Sequence, residues 1–466
     1  MALTIEQNPL YTLNPVGQEV IFTVKDAATV AAYYNVKFIA EVHVSTVDIN
    51  LSTTTAVVGT FKTTPNNAGV GMFDFRPIVE SFVSPDNNAA IGSEYKAAAT
   101  SAIKTHPLHL IDKFSLNDNV VRYLKIRFKV EGSTSVSSTV SVLDTEDSSQ
   151  YTLINGYLKY TDVQDRDATG KFGFNTEIFQ LGVGSGNRFL SNAPTTQYVN
   201  INDYGTLSFM ATPVVGEEAA TTVDELYIIY YNSSGTPIAT ETIDNIDANG
   251  GNTTWDSDTK NQLLHIGCFP ANLRNWSSKF LAVMAVDLSY YTVNLINILN
   301  VDISEIVTIN INCATLKGFE PIRLTWLNQW GVWDYYTFTM KSTKMISTKG
   351  SSYQQLEGTW NESIYHPSGY RGGKKAFRVN ATEKISMNTD FVSEAEAVWF
   401  EELINSPEVY ILDGFQTDPT NPLLSTYVTP ARLTTSSFTK KTIANDKLIQ
   451  YTFEVEKSKT LRTQSV

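Results

Sequence analysis

The sequence predicts a mainly β protein built from two or three antiparallel β-sandwich-like modules, with one short helix near residues 394–405. Three observations lead to this fold class. Apolar and polar residues alternate with a period of two in several segments, which is the pattern of a half-buried strand. The chain has 23 Tyr and 23 Phe residues but only 18% charged residues, a composition that suits pleated sheets. A clear helix signature occurs in a single segment.

The clearest alternation occurs in two segments of the first 131 residues. The apolar face of YNVKFIAEVHV consists of Val36, Phe38, Ala40, Val42 and Val44. The apolar face of RYLKIRFKVEG consists of Leu124, Ile126, Phe128 and Val130. Both segments predict half-buried antiparallel strands, and His43 is expected on the polar, solvated face of the first.

Further along the chain, three segments add to this picture. Residues 84–118 form a long insert, and inserts of this length inside a compact domain often carry an interaction. DELYIIYYNSSGTPIATETI predicts a hairpin, because two β-rich runs flank a Ser-Ser-Gly turn at residues 233–235. A closing strand is predicted in KLIQYTFEVEK, whose apolar face consists of Ile449, Tyr451, Phe453 and Val455.

The helix is predicted in FVSEAEAVWFEELINSP. Ser393 and Glu396 have the spacing of a capping box, and Pro407 ends the segment. Trp399 and Leu403 lie four residues apart and would share one buried face.

Turn-rich composition suggests module boundaries near residues 145 and 310. The predicted N-terminal module is β-sandwich-like, covers residues 1–145 and contains the long insert near 84–118. Residues 146–310 are expected to form a central β-rich module. Residues 311–466 are expected to form a C-terminal β-rich module with an aromatic hairpin and the short helix.

Charge and cysteine content exclude several classes of protein. The net charge of −13 would repel a phosphate backbone, and the sequence shows no basic run, so sequence-specific nucleic-acid binding is disfavoured. Cys268 and Cys313 are too few for a disulfide scaffold and are expected to be buried free thiols. The N-terminus lacks a secretory signal, and Asp287 interrupts the most apolar stretch, so no membrane association is expected.

One segment has part of the pattern of a calcium loop. DRDATG places Asp165, Asp167 and Thr169 at the first, third and fifth positions, from which oxygen atoms converge on a cation. Position twelve is Thr176, where a calcium loop needs a bidentate Glu. A structural turn is therefore the preferred interpretation, and a calcium site is the alternative.

Other short motifs give no support for catalysis. GVGSGN at 182–187 and RGGKK at 371–375 both lack the Gly-Lys-Ser/Thr ending of a phosphate-binding loop. The five histidines do not have the spacing of metal ligands. We therefore expect a protein that is not an enzyme, with no catalytic residue and no cofactor.

The most informative segment is IRLTWLNQWGVWDYYTF, which has three Trp residues within eight positions. It predicts two aromatic strands joined by a tight loop, in which Gly331 takes the left-handed conformation. The residues expected to matter are Arg323, Trp326, Asn328, Trp330, Gly331, Trp333 and Asp334. Two interpretations stay open: a hairpin of the core, or a packed anchor for a contact between subunits.

This hairpin resembles a recurrent segment in structural proteins of tailed phages and prophages of gut Bacteroidetes, including crAss-like podoviruses. Three further pieces are similar to the same group. They are FDFRPIVESFV at 73–83, RFLSNAPTTQYVNINDYGTLSFM at 188–210, and INSPEVYIL at 404–412 together with YTFEVEKSKTLRTQ at 451–464. The pieces follow the expected order and are spread over nearly the whole chain.

The resemblance implies a virion structural protein, a ring, hub or muzzle component of the tail. Such a protein assembles in several copies around the tail axis and contributes to the conduit for DNA ejection. Its partners would be copies of itself in a ring and other tail or portal-proximal proteins. It would be made in the cytoplasm of the bacterial host and packaged in the virion. No functional residue follows from the resemblance, because the shared motif is structural.

Two alternatives from other classes stay open. The supply of Tyr and Trp suits the stacking of sugars, as in a receptor- or glycan-binding tail adhesin. A virion-associated glycan hydrolase would use two carboxylates that are recognised by their separation in space, so sequence spacing does not reveal them.

Overall fold

The fold was analysed in a computed structural model that describes residues 2–52, 56–83, 90–91, 114–117, 120–162, 165–166, 172–184, 186–214, 216–245, 261–312, 318–412, 428–441, 449–459 and 461–462. Strands make up 47% of the protein and helices 12%. The predicted mainly β class is therefore confirmed.

The strands are short, apart from a few long ones in the first and last thirds of the chain. Up to residue 211 they are β1 (Thr4–Gln7), β2 (Leu13–Pro15), β3 (Ile21–Lys25), β4 (Tyr34–Ser45), β5 (Val57–Thr63), β6 (Val70–Asp74), β7 (Ala90–Ile91), β8 (Phe114–Asn117), β9 (Val121–Ser133), β10 (Ser141–Asp147), β11 (Tyr151–Ile154), β12 (Asp165–Arg166), β13 (Phe172–Gly173), β14 (Thr196–Asn200) and β15 (Thr206–Ala211).

From residue 223 onward they are β16 (Val223–Tyr231), β17 (Pro237–Asp244), β18 (Gln262–Gly267), β19 (Tyr290–Asn297), β20 (Val307–Asn312), β21 (Ile322–Leu327), β22 (Trp333–Phe338), β23 (Ser342–Gln355), β24 (Gly373–Asn388), β25 (Val409–Leu412), β26 (Val428–Leu433), β27 (Thr452–Lys457) and β28 (Leu461–Arg462).

Helices are few and mostly short. They are α1 (Ala27–Ala32), α2 (Arg76–Val79), α3 (Glu218–Thr221), α4 (Pro270–Trp276), α5 (Ser278–Met284) and α6 (Glu394–Asn405). α6 is the predicted helix, and its capping box between Ser393 and Glu396 is present. No helix in the described part of the chain is long and apolar enough to cross a membrane.

The chain divides into two compact units. The first comprises Met1–Asn312, Leu327–Asp334 and Phe415–Ser425, and the second comprises Cys313–Trp326, Tyr335–Gly414 and Thr426–Val466. Residue 145, suggested as a boundary by composition, lies inside β10, where the backbone is paired with β9. The finer division into three modules stays a prediction.

The N-terminal part of the first unit is a two-sheet sandwich. The sheet β1-β3-β6 faces the sheet β2-β11-β9-β4-β5, in which β10 also pairs with β9. Phe22 and Phe73 of the small sheet contact Phe128 of the large sheet, with ring centroids 5.7 and 5.8 Å apart. These rings lie in the core that holds the two sheets together.

A second core of the first unit lies between the sheet β14-β20-β19-β16-β17 and strands β15 and β18. Tyr230 and Tyr291 from the five-stranded sheet contact Phe280 of α5, with ring centroids 6.0 Å apart in each case. Cys268 is a buried free thiol in this core, and Cys313 lies outside the described residues.

The second unit is built on one large sheet, with the order β22-β21-β25-β26-β27-β24-β23 and with β28 beside β24. α6 packs on this sheet through Trp399 and Phe400. Their ring centroids lie 5.0 Å from Trp326 and 5.5 Å from Phe453, respectively. The amphipathic helix thus covers the aromatic face of the sheet.

The alternation read from the sequence is confirmed in three strands. Phe38, Ala40 and Val42 in β4 are fully buried, as are the four apolar residues of β9 and Phe453 and Val455 of β27. Val36 and Val44 are half-buried, and Ile449 and Tyr451 are buried but precede β27. The expectation for His43 was wrong, because only 5% of this residue is exposed. β4 is an interior strand between β9 and β5, and these neighbours shield side chains on the outer face as well.

The long insert near 84–118 lies mostly outside the described residues. Its described parts, β7 and β8, extend the sheet of β15 and β18. β8 pairs with β18, so that Phe114 lies opposite Ile266. This pairing joins two strands that are far apart in the sequence, so the local sequence of neither strand could predict it.

Candidate functional site

The predicted aromatic hairpin is formed by β21 and β22, and its side chains are buried. The exposed fraction is 0–6% for the six residues with large side chains, namely Arg323, Trp326, Asn328, Trp330, Trp333 and Asp334. The hairpin is therefore a core element within the chain, which is the first of the two interpretations given above. A buried side chain is not available to anchor a neighbouring subunit.

The loop between the two strands has the predicted chemistry. Asn328 accepts hydrogen bonds at Oδ1 from the amides of Trp330 and Val332, at 2.9 and 3.2 Å. Gly331 has a φ of +76°, and a Cβ atom at this position would lie 1.8 Å from the carbonyl oxygen of Asn155. Only glycine fits this close approach of two backbones.

The loop residues belong to the first unit and pack there. The ring centroid of Trp330 lies 4.5 Å from that of Phe179 and 5.3 Å from that of Phe174. Asp334 accepts a hydrogen bond of 2.7 Å from the hydroxyl of Ser191. The loop thus completes a third core of that unit.

The strand residues belong to the second unit. Arg323 donates a hydrogen bond of 2.8 Å to the hydroxyl of Thr337, and its guanidinium lies 5.2 Å from the ring centroid of Tyr335. Trp326 packs on Trp399 of α6. These contacts give the predicted residues a structural role.

The calcium-loop residues are not brought together within the described part of the chain. Asp165 begins β12, which pairs with β13, while Asp167 and Thr169 lie outside the described residues. Among the residues that are described, no group of three or more His, Cys, Asp or Glu side chains is arranged to hold a metal ion.

The surface with the strongest functional character was not predicted. β23 and β24 form a hairpin of 14 and 16 residues, and no other strand in the described part of the chain pairs with the outer half of this hairpin. We call residues 349–379 the arm. Its shaft consists of residues 349–355 and 373–379, and its tip is the connecting loop, residues 356–372. Nearly every described side chain of the shaft is exposed or half-buried.

The arm exposes many large apolar side chains. At least half of the surface of each of six residues is in contact with solvent: Leu356, Trp360, Ile364, Tyr365, Tyr370 and Phe377. An isolated two-stranded hairpin is only marginally stable in water, and contiguous exposed apolar surface marks interaction sites. The arm therefore has the properties of a surface that is buried against another molecule.

The tip is folded although its side chains are exposed. The amide of Thr359 donates to the carbonyl of His366 at 3.1 Å, and the amide of His366 donates back to the Thr359 hydroxyl at 2.7 Å. Arg371 donates to the carbonyl of Gly358 at 3.1 Å. A backbone fixed in this way presents Trp360 and Tyr370 with little entropy left to lose on binding.

The shaft of the arm is basic. It carries Lys349, Lys374, Lys375 and Arg378 and has no acidic residue. The segment RGGKK at 371–375, which lacks the ending of a phosphate-binding loop, divides between the tip and the first residues of β24. The cations come from two segments more than 20 residues apart, so no run of positive charge is visible in the sequence. Strand pairing brings them together.

A second surface, in the first unit, has the opposite charge. Residues 189–259 contain ten Asp and Glu residues and no Lys or Arg. We call the paired strands β16 and β17, within this segment, the acidic hairpin. At its open end Glu225 lies opposite Asp244, and Asp224 precedes Glu225. Among the described residues, none of these three carboxylates takes part in an ion pair.

This crowding changes the titration of one carboxyl group. Burial, the hydrogen bond to Asp244 and the charges of Asp244 and Asp224 raise the pKa of Glu225 from 4.5 to about 7. Because the pKa of Glu225 is higher in the folded state, the Glu225 carboxyl is protonated in the folded protein and ionised in the unfolded chain at a pH between 4.5 and about 7. Stability from this group is therefore present at low pH and is lost as the pH rises toward 7.

We expect Glu225→Gln to remove the loss of stability that the ionisation of Glu225 causes as the pH rises. Between pH 5 and pH 8, the unfolding free energy of the variant should rise relative to the wild type by roughly 1 kcal/mol, a value reduced for solvent screening. Urea unfolding at both pH values measures the difference, with Glu362→Gln in the exposed tip as the control. An equal effect of Glu225→Gln at the two pH values would contradict the expected linkage.

No protein-family model and no curated protein matches the chain. Among solved structures, the chain is similar to E. coli alpha-2-macroglobulin in its native conformation, with 10% identity and a TM-score of 0.18. The match covers 82% of this chain and 21% of that chain. It is also similar to a protein described as "membrane anchored" from Corynebacterium diphtheriae, with 10% identity, a TM-score of 0.13, and coverage of 83% and 86%. Likenesses with such low TM-scores carry no argument about fold or function.

Proposed function

We propose that this chain is a structural subunit of a bacteriophage tail, a ring or hub component that assembles in several copies around the tail axis. The observation that carries the proposal is the arm, a preformed hairpin whose apolar tip is exposed in the single chain. The resemblance of four ordered segments to structural proteins of crAss-like podoviruses supplies the tail as the setting.

An arm that reaches out of the subunit suits head-to-tail contacts. In a heterologous interface, two different surfaces of the same chain meet, and the contacts close into a ring when the rotation between copies allows it. Exposed Trp and Tyr side chains are the residue types that dominate the binding energy of such interfaces. A ring of this kind would surround the conduit through which DNA leaves the capsid.

The proposal is tested by removing the tip. Gln355 and Gly373 lie opposite each other at the outer end of the shaft, so residues 356–372 can be replaced by an Asn-Gly turn. Mass photometry and negative-stain microscopy should show multimers of the wild type and monomers of the variant, with unchanged far-ultraviolet circular dichroism. Trp360→Ser should weaken assembly, whereas Val136→Ser, a similarly exposed site elsewhere, should not.

Purified virions give the second measurement. If the ring closes only on a portal template, the free chain stays monomeric. Mass spectrometry would nevertheless detect the chain in mature particles. A chain that is strictly monomeric and also absent from virions would overturn the proposal.

A tail adhesin is a second candidate function. The specific observation in its favour is the group of exposed rings of Trp360, Tyr365 and Tyr370 at the tip, which are suited to stacking on sugars. Binding to a glycan array that is lost in Trp360→Ala would support the adhesin. Assembly that depends on the tip without any glycan binding would support the ring.

A further inference from the structure

We propose that the arm of one copy docks along the acidic hairpin of a second copy, so that Lys349 and Arg378, in the inner part of the shaft, face the carboxylates at the open end of that hairpin. The inference rests on the proposed function and goes beyond it by naming the two surfaces that meet. It is based on charge, length and apolar surface, each observed separately in the single chain.

The first argument is the contrast between cations inside and outside the shaft. Near the base of the hairpin, Lys344 pairs with Glu320 at 2.8 Å and Lys384 pairs with Glu454 at 3.2 Å. In the shaft, Lys349, Lys374 and Arg378 have no ion-pair partner among the described residues. Charge complementarity with a second chain would provide the missing partners and would guide the encounter of the two copies.

The second argument is that the acidic hairpin offers the matching charge. Asp224, Glu225 and Asp244 repel one another, and this repulsion contributes to the raised pKa of Glu225. Cations placed beside them would relieve the repulsion. The segment that contains them is the longest part of the sequence without Lys or Arg, so no cation from the same segment offsets their charge.

The third argument is length. Along the shaft, six residues separate Lys349 from Gln355 at the start of the tip, which is about 20 Å in an extended strand. Along the acidic hairpin, six residues separate Glu225 from Tyr231 at the turn, which is again about 20 Å. When Lys349 and its near neighbour Arg378, which lies opposite Ser351, reach the carboxylates, the tip of the arm therefore comes to the turn end of the hairpin.

The fourth argument is the apolar surface at that end. α5 packs against β17, where the Lys279 ammonium donates to the carbonyl of Thr240 at 2.7 Å, and the Ser233 hydroxyl donates to Asp287 at 3.2 Å. Exposed apolar side chains follow along this side of the hairpin, namely Ile238, Leu281, Met284 and Val286. They provide a surface against which the aromatic tip can be buried.

Nucleic acid is the other polyanion that the cations of the shaft could meet. The tip argues against nucleic acid as the main partner, because its five large apolar side chains would stay exposed beside a phosphate backbone. The net charge of −13 on the whole chain also opposes association with DNA. A second copy satisfies both the charged shaft and the apolar tip.

The test uses two charge-reversed forms of the full chain. The arm-reversed form carries Lys349→Glu and Arg378→Glu, and the hairpin-reversed form carries Asp224→Lys and Asp244→Lys. Each form alone places like charges at every contact. In an equal mixture, every contact between unlike forms pairs opposite charges, so assembly requires that the two forms alternate.

We expect each reversed form alone to self-associate more than about tenfold more weakly than the wild type in sedimentation velocity, and the mixture to recover most of the loss. Assembly of the wild type should also weaken in about 0.5 M salt, where charges are screened over a few ångströms. Carbodiimide cross-linking of mixed ¹⁴N and ¹⁵N chains should join shaft lysines to hairpin carboxylates between different chains.

The contrary results are distinct. Reversed forms that associate as well as the wild type, or a mixture that fails to recover, would overturn the docking inference while leaving the multimer, and the proposed function, in place. A wild-type protein that does not self-associate at any soluble concentration would overturn the docking inference. Detection of the same protein in virions would still support the proposed function. Nucleic acid would be identified as the partner by two results together. The wild type, but not the arm-reversed form, would retard the migration of a DNA duplex, and the hairpin-reversed form would assemble normally.

Discussion

Gly331→Ala is expected to lower the unfolding free energy by about 4 kcal/mol or more, which is large for a single methyl group. Two effects add. The left-handed conformation with φ of +76° costs an L-residue about 1–2 kcal/mol, and the new Cβ would lie 1.8 Å from the carbonyl oxygen of Asn155. The loop must move to relieve this overlap, which would disturb the packing of Trp330 on Phe179.

Two control substitutions separate these effects. Gly318→Ala has a similar φ of +69°, and no atom of the described residues would lie within 4 Å of its Cβ, so it should show only the conformational cost. Gly369→Ala has neither positive φ nor a close neighbour and should be nearly neutral. Urea unfolding followed by tryptophan fluorescence measures all three variants. If Gly331→Ala cost no more than Gly318→Ala, the backbone approach at Asn155 would not be as tight as described.

Phe400→Ala is expected to destabilise the second unit by about 4 kcal/mol, the usual cost of removing a buried aromatic ring. Phe400 is completely buried, and its ring centroid lies 4.8 Å from that of Tyr336, 5.3 Å from that of Trp399 and 5.5 Å from that of Phe453. Removal of the ring would leave a cavity between α6 and the large sheet, at the point where the helix is held.

Phe391→Ala is the matched control for this change. Phe391 lies nine residues earlier and is 52% exposed, so its replacement should cost less than about 1 kcal/mol. Thermal unfolding followed by near-ultraviolet circular dichroism, which reports aromatic packing, compares the two variants. Equal shifts in Tm would show that the contacts of Phe400 with the sheet contribute little.

Local patterns were sufficient for a large part of the fold. Alternation identified the buried face of β9, the spacing of Ser393 and Glu396 identified the start of α6, and Gly331 identified the conformation of the hairpin loop. In each of these segments, neighbouring residues determine the structure. A pleated strand buries every second side chain, a capping box involves four residues, and a left-handed turn requires glycine.

Features that depend on distant residues could not be predicted in this way. The strands of the aromatic hairpin belong to one unit and its loop to the other, a division that depends on contacts far along the chain. The arm was missed for a different reason. β23 carries Ser, Thr and Lys on both faces, so it has no apolar periodicity, and the exposed rings of the tip resembled an ordinary aromatic-rich loop.

The position of β23 also bears on the aggregation of the protein. This strand lies at the edge of its sheet, and an open edge invites unspecific strand addition and, in the extreme, amyloid-like stacking. Lys349 places a charge on the outer part of this edge, and the bulge at Phe377 of the paired strand β24 increases the local twist. Both features hinder continuous pairing with a foreign strand. This edge is thus guarded against unspecific strand addition, although it is long and has no partner strand on its outer side among the described residues.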